Sequence, residues 1–356
     1  MLNLIKPPKL NPGDTVATVS LSWGGAGDEE ILWRYQQGKE RLEKVFGLNV
    51  VEMPHTLKGT DYVYRHPEKR AEDLMQAFLD PSIKGIISCI GGSDSIRLLP
   101  YIDFDVIRNN PKIVTGYSDS TVTHFFCLKA GISSFYGLSI LNDFAENIKM
   151  SEYTVDWTNK VLFSSAPIGN IPVAREYTGQ TLKWVIENKN VARTFEKNTD
   201  YELLQGKKTV TGRLIGGCLE VIDIIKGTSL FPDLSCFDDA ILFLETSEVM
   251  PPVWMIEDSL RSYGMMGIFD RINGLIFGKP YRNQFYEDYK TVIQEVLTEF
   301  GRQDMPVLYN ASFGHNEPKC VLPYGVTAEI RCEKPGFSIL ESGVNESRNQ
   351  SFEVNQ

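Results

Sequence analysis

The chain has 356 residues, 42% hydrophobic and 23% charged, with a formal net charge of −10. That length and balance suit a globular protein with a sizeable core, divided here into an expected two domains. The acidic excess, without a basic cluster larger than Lys207-Lys208, argues against nucleic acid or an anionic membrane surface as partner. In chain order, residues 13–20 read as a first strand after a Pro-Gly turn, 29–46 as an amphipathic helix and 48–53 as a second strand. A second helix is expected over 67–79 and a third strand over 85–90, running into Gly91-Gly92. Residues 93–99 follow as a short helix. Ile113-Val114-Thr115 is a β-branched run with the composition of a buried strand. Gly116 permits a sharp turn, Ser118, Asp119, Ser120 and Thr121 are helix-starting types, and 122–130 reads as a helix stopped by Gly131.

Strand, tight turn with serine at its apex, helix: this is the order of a nucleophile elbow. It would hold the Ser118 hydroxyl clear of the sheet beside backbone N–H groups. Gly-x-Ser-x-Gly is incomplete, because Ser120 stands at the second glycine, so an ordinary junction capped by Ser118 or Asp119 is the competing reading. The alternation of strands and helices implies a parallel sheet, whose carboxyl ends carry both Gly91-Gly92 and Ser118.

From residue 151 the pattern changes. Residues 151–163 read as a helix, and 167–208 as a polar, poorly periodic stretch holding an isolated Trp184, which either anchors the loop or stacks on a ligand. Residues 212–226 read as a turn leading into an apolar-faced helix, 240–245 as a continuous apolar strand ending in Glu245. A helix over 253–263, a strand over 274–277 and a long helix over 286–300 follow. Short strands then close a second domain richer in antiparallel pairing. The domains are expected over 1–165 and 209–356, with 166–208 as a connecting substrate loop.

A serine nucleophile needs a proton acceptor, and that acceptor needs an orienting group. Of four histidines, His124 reads as a packed helix residue and His55 and His66 as surface positions, leaving His315 in a glycine turn. Glu245 follows an apolar strand, where a carboxylate requires a partner, with Glu248 as its competitor. Gly91-Gly92 could supply half of an oxyanion hole, the N–H of Asp119 the other half, or could cradle phosphate. No Walker lysine follows these glycines. The six cysteines lack Cys-x-x-Cys pairs, which suggests reduced thiols and neither a disulfide frame nor a zinc site. Residues 1–8 hold no apolar run long enough for a signal peptide, and no stretch approaches a membrane span, so a cytoplasmic location is expected.

Residues 90–103 (Ile-Gly-Gly-Ser-Asp-Ser-Ile-Arg-Leu-Leu-Pro-Tyr-Ile-Asp), Gly116-Tyr-Ser-Asp-Ser-Thr121, Gly216-Gly217, Leu244-Glu245 and Phe313-Gly-His315 together resemble the serine LD-carboxypeptidases. That family includes murein tetrapeptide carboxypeptidases and microcin C self-immunity peptidases. The resemblance implies an α/β protein with a flavodoxin-like or amidotransferase-like parallel-sheet domain and a mixed, β-rich C-terminal domain. It also implies a homodimer without metal or other cofactor. By resemblance Ser118 is the nucleophile, His315 the general base and Glu245 its orienting acid, with Gly92 and Asp119 giving the oxyanion-hole N–H groups. Gly91, Ser93, Trp184 and Cys218 are candidate substrate-binding residues; Cys218 departs from an asparagine common at that place. The segment containing Trp184 looks like the microcin-immunity branch, where an aromatic loop holds an adenylate-like moiety. The implied substrate is therefore a small peptide or an aminoacyl-nucleotide. A non-catalytic ligand-binding sensor on the same scaffold, or a phosphotransferase using the Gly91-Gly92 loop, are the alternatives.

Overall fold

The computed structural model describes residues 2–346. Its strands in chain order are β1 (Thr15–Val19), β2 (Asn49–Glu52), β3 (Ile83–Ser88), β4 (Ile113–Gly116), β5 (Phe135–Tyr136), β6 (Gly169–Ile171), β7 (Glu176–Tyr177) and β8 (Glu196–Lys197). They continue with β9 (Glu202–Gln205), β10 (Val210–Cys218), β11 (Ala240–Glu245), β12 (Gly274–Gly278), β13 (Val307–Ala311), β14 (Leu322–Pro323), β15 (Thr327–Arg331) and β16 (Gly336–Ile339). The first sheet has the order β14-β5-β4-β3-β1-β2. Its five N-terminal strands pair in parallel, as helical crossovers require, and β14 returns from the C-terminal half to pair antiparallel with β5. β3 and β4 are buried almost throughout, which explains their unbroken apolar and β-branched composition.

The second sheet has the order β6-β16-β15-β10-β11-β12-β13-β9. The central strands β10 to β13 are parallel, and antiparallel pairing is confined to the flanks. Two expectations are corrected here. The start of 212–226, read as a turn, lies within the nine-residue strand β10, and the helix begins only at Leu219. The glycines that suggested a turn serve close strand packing instead: a Cβ on Gly216 would lie 1.7 Å from the carbonyl oxygen of Phe243 on β11. The stretch 167–208 is not uniformly irregular either, since β6 and β9 lie at opposite edges of this sheet. Between them, β7 and β8 make a two-stranded ribbon flanking the segment that carries Trp184.

The sheets touch where β10 and β11 end beside the turn after β4. The N–H of Cys218 donates to Thr121 Oγ1 (3.1 Å), at the start of the helix Thr121–Ala130. Tyr136 on β5 donates its hydroxyl to Glu245 on β11. Strand ends from both sheets therefore converge on one place.

Candidate active site

Ser118 sits in the turn after β4 with φ +60°, a left-handed conformation that costs a non-glycine residue of order 1–3 kcal/mol. The surroundings hold it there. Ser120 N–H closes the turn on the Tyr117 carbonyl (3.1 Å), and Ser118 N–H donates to the Tyr136 hydroxyl (3.1 Å). The Gly91-Gly92 loop leans against the serine: a Cβ on Gly91 would be 2.9 Å from Ser118 Cβ, 3.1 Å from its Oγ and 3.4 Å from the Asp119 nitrogen. Asp119 turns its buried carboxylate away, accepting from Ser22 Oγ (2.6 Å) and Ser95 N–H (2.9 Å), while Ser95 Oγ donates to the Asp119 carbonyl (2.9 Å). Its side chain thus fastens the turn to two neighbouring loops, leaving the backbone as what Asp119 can offer a substrate.

Glu245, the last residue of β11, is fully buried. It meets His315 Nδ1 through Oε2 (2.7 Å) and accepts from Tyr136 through Oε1. The pairing requires Gly314, because a Cβ there would lie 2.6 Å from Glu245 Oε2. Burial by itself would depress the His315 pKa, but the charge and hydrogen bond of Glu245, joined by Glu248, raise it to about 10. The other ring nitrogen, Nε2, lies 2.9 Å from Glu248 Oε2. That contact has ion-pair distance but not hydrogen-bond geometry, so Nε2 has no hydrogen-bond partner among the described residues. It nevertheless draws Glu248 down to about 2 against the opposing effect of burial. Glu245, then, is the acid on Nδ1, and the competing Glu248 faces Nε2.

His124 follows its expected packing role. Its Nε2 donates to the Gly116 carbonyl (2.9 Å), its Nδ1 meets Ser134 Oγ (2.9 Å), and burial lowers it to about 4.

Ser118 and His315 line one cavity of about 290 Å³, with Gly91, Gly92 and Trp184 also on its surface. Trp184 stacks on Trp23 (6.0 Å between centroids, 25° between planes), and the Arg34 guanidinium lies 4.8 Å from the Trp184 ring. Arg34 is itself fixed by the Leu141 carbonyl (2.6 Å) and Asn147 Oδ1 (2.7 Å). Burial lowers its pKa to about 10, which leaves it cationic at neutral pH. Arg193, also on the wall, is paired with Glu146. Glu317 on the same wall is held by Lys319, a fully buried ammonium that also meets Asp143 (3.0 Å) and lies 4.0 Å from the Tyr117 ring. Asp119 and Glu245 stand behind the cavity surface. Ser93 is exposed outside it, and Cys218 is buried with its thiol toward Glu220 Oε2 (3.4 Å), so neither is among the lining residues.

Sequence reasoning did not single out Trp23, Arg34, Tyr136 or Arg193. Trp23 alone had a local signal, an aromatic beside Gly24-Gly25 just after the first strand. The others sit in helix, strand or loop positions indistinguishable from ordinary ones. Among the described residues no cluster of three or more His, Cys, Asp or Glu could hold a metal ion, and no helix is long and apolar enough to cross a membrane.

Residues 16–137 match the model of the LD-carboxypeptidase N-terminal domain, and 211–330 that of the LD-carboxypeptidase C-terminal domain. The microcin C7 self-immunity protein MccF of Escherichia coli is 30% identical over 316 residues, 86% of this chain and 88% of that protein. An MccF-like protein from Streptococcus pneumoniae, solved in complex with AMP, superposes with a TM-score of 0.84 at 35% identity, over 92% of this chain and 98% of the other. MccF in complex with aspartyl sulfamoyl adenosine gives 0.83 at 28% identity, over 96% and 100%. The strained serine turn, the buried Glu–His pair and the two-sheet scaffold thus occur in a chain that belongs to the LD-carboxypeptidase family of peptidases.

Proposed function

We propose that this protein is a serine carboxypeptidase that hydrolyses the amide to the terminal residue or conjugate of a small peptide-like substrate. Ser118 attacks the carbonyl. His315 Nε2 takes its proton and returns it to the leaving amine, and Glu245 fixes the ring through Nδ1 and balances the imidazolium. The N–H groups of Gly92 and Asp119 receive the developing oxyanion. Water then cleaves the acyl-enzyme by the same route in reverse. The observation that carries this reading is the meeting of a serine at φ +60° with a buried Glu245–His315 pair at one cavity.

An aminoacyl-nucleotide conjugate is the favoured substrate. Trp184 backed by Trp23 offers a flat apolar surface for a base, and Arg34 beside it offers a cation for a phosphate or sulfamoyl group. The ligands named for the MccF and MccF-like complexes, AMP and aspartyl sulfamoyl adenosine, are of this chemistry. The family likeness further implies a homodimer in the cytoplasm, which light scattering and fractionation address. Nothing in the comparisons supports the sensor or phosphotransferase alternatives.

Two measurements test the proposal. A fluorophosphonate should add its mass at Ser118 in the wild type and not in Ser118→Ala. A panel of aminoacyl sulfamoyl adenosines and murein tetrapeptides should be hydrolysed on the nucleotide side. Turnover of the tetrapeptides alone would keep the triad and reassign the substrate; turnover by Ser118→Ala at the wild-type rate would overturn the mechanism.

A further inference from the structure

The cavity's charges are not compensated evenly. Arg193 has Glu146, and Lys319 has Asp143 and Glu317. Glu248 has only the base itself: His315 is its one ion-pair partner among the described residues, and its own side chain is 60% exposed. Its loop neighbour Ser247 is pinned by Glu220 through both N–H (2.9 Å) and Oγ (2.6 Å), whereas Val249 on the other side is 70% exposed. Glu248 is therefore a carboxylate on a fixed stem with a free end.

Its present position is incompatible with acyl transfer. His315 can accept the Ser118 proton only through an unprotonated, unobstructed Nε2, and Glu248 stands 2.9 Å from that atom. The groups facing the imidazole are Glu245 on Nδ1, Glu248 on Nε2 and the Tyr117 ring edge-on at 5.0 Å; both charged ones favour imidazolium. When the ring gives its Nε2 proton to water and becomes neutral, Glu248 is left as a carboxylate without a cation beside the nucleophile. A ligand that brings its own cation there compensates it and draws it off the base. Elsewhere on the same wall the charge is of opposite sign, with the Arg34 guanidinium beside the tryptophans and no carboxylate paired to it among the described residues.

From this polarity we infer that Glu248 is the specificity-determining residue of the site, exchanging His315 for the free ammonium group of the substrate's acyl residue. This rests on the acyl-transfer function proposed above and narrows its substrate class. The favoured molecule is bipolar, anionic toward Arg34 and cationic toward Glu248, with the scissile amide between. An aminoacyl conjugate with an unblocked α-amine has that pattern, and its N-acetyl derivative does not.

The test compares one aminoacyl sulfamoyl adenosine in free-amine and N-acetyl forms, with full-length wild type, Glu248→Gln and Glu248→Ala. Wild type should favour the free amine in kcat/KM by about tenfold or more, as expected for losing a hydrogen bond to a charged group. Both variants should bring that ratio toward one. The rising limb of their kcat/KM against pH for the N-acetyl form should move to lower pH, because removing a negative charge at Nε2 lowers the imidazolium pKa. A wild-type ratio near one, or a ratio unchanged in Glu248→Gln, overturns the inference while leaving acyl transfer intact. Hydrolysis of neither form, with no fluorophosphonate on Ser118, overturns the proposed function and this inference with it.

Discussion

The two halves of the candidate site reach their geometry by opposite means. The serine half, in the first sheet, is held by backbone strain: φ is +60° at Ser118, and the hydrogen bonds of Asp119, Ser22 and Ser95 prevent the turn from relaxing. The histidine half, on the second sheet, is held by charge: Glu245 is fully buried and its partner is an imidazole raised to about 10. A strained residue can be replaced with a gain in stability, whereas one member of a buried charged pair cannot.

Ser118→Gly and His315→Ala bring out that difference most strongly. Both should lower kcat by about three orders of magnitude or more if the two are the proposed nucleophile and base, which fail as a unit. Their stabilities should move apart. Glycine adopts φ +60° without strain, so Ser118→Gly should hold or raise the melting temperature. His315→Ala leaves Glu245 buried without a cation and should destabilise by about 3–5 kcal/mol. Urea unfolding of the two variants measures this directly, and equal shifts would show that strain and charge are not divided between the halves.

Tyr136 joins the halves, accepting from Ser118 N–H and donating to Glu245. Tyr136→Phe removes both hydrogen bonds in one buried position. A loss of about 1–3 kcal/mol in stability is expected from the unsatisfied groups left behind, with a fall in kcat larger than any change in KM. An effect on stability alone would restrict Tyr136 to packing.

The histidines give the comparison a pH dependence. His315 has a folded-state pKa above its unfolded value of about 6.5. Its contribution to stability is therefore complete below that value and is lost as pH rises toward about 10. His124 is the reverse: lowered to about 4 by burial, it resists protonation in the fold, so stability falls as pH drops from about 6.5 toward 4. Urea midpoints across pH 4 to 10 should lose their alkaline decline in His315→Gln relative to wild type while keeping the acid one.

Much of the first sheet was legible because local pattern and tertiary role agree there. Residues 67–79 are helical as expected, with Pro67 at the start, and Gly131 ends its helix in the left-handed conformation. The second sheet was legible at β11, whose six residues are all buried, and misread at β10. In β10, Gly216 is required by the approach of Phe243, Gly212 by that of Asp239 and Ala240, and Gly217 by that of Thr121, distant residues that no local rule can register. The same holds in the site. Ser118, Glu245 and His315 stand out by sequence context, Ser118 in a helix-starting turn and the other two at a strand end and a glycine turn. Arg34 is one cation on an amphipathic helix and joins the cavity wall only when Trp184, 150 positions later, is laid against it. Cys218 was singled out from its place after Gly216-Gly217, yet β10 directs it toward Glu220.

The smallest expected effect is at Trp184, and it separates substrate binding from chemistry. The residue lies on the irregular segment between β7 and β8, half-buried, with Trp23 on one side and the Arg34 guanidinium close by. Its ring partners are Trp23 and Arg34, and the polar contacts of Ser118 and of the Glu245–His315 pair do not involve it, so Trp184→Ala should leave strain and charge at those groups as they are. What it removes is the flat surface proposed to hold the substrate's base, worth about 1–2 kcal/mol for a stacked ring. KM for an aminoacyl sulfamoyl adenosine should therefore rise about tenfold with kcat little changed, and kinetics on a short peptide without a nucleobase should not respond. Trp184→Phe keeps a ring over Trp23 and should recover most of the loss. If kcat falls instead, the segment positions the reacting groups and its tryptophan is part of the scaffold that holds them.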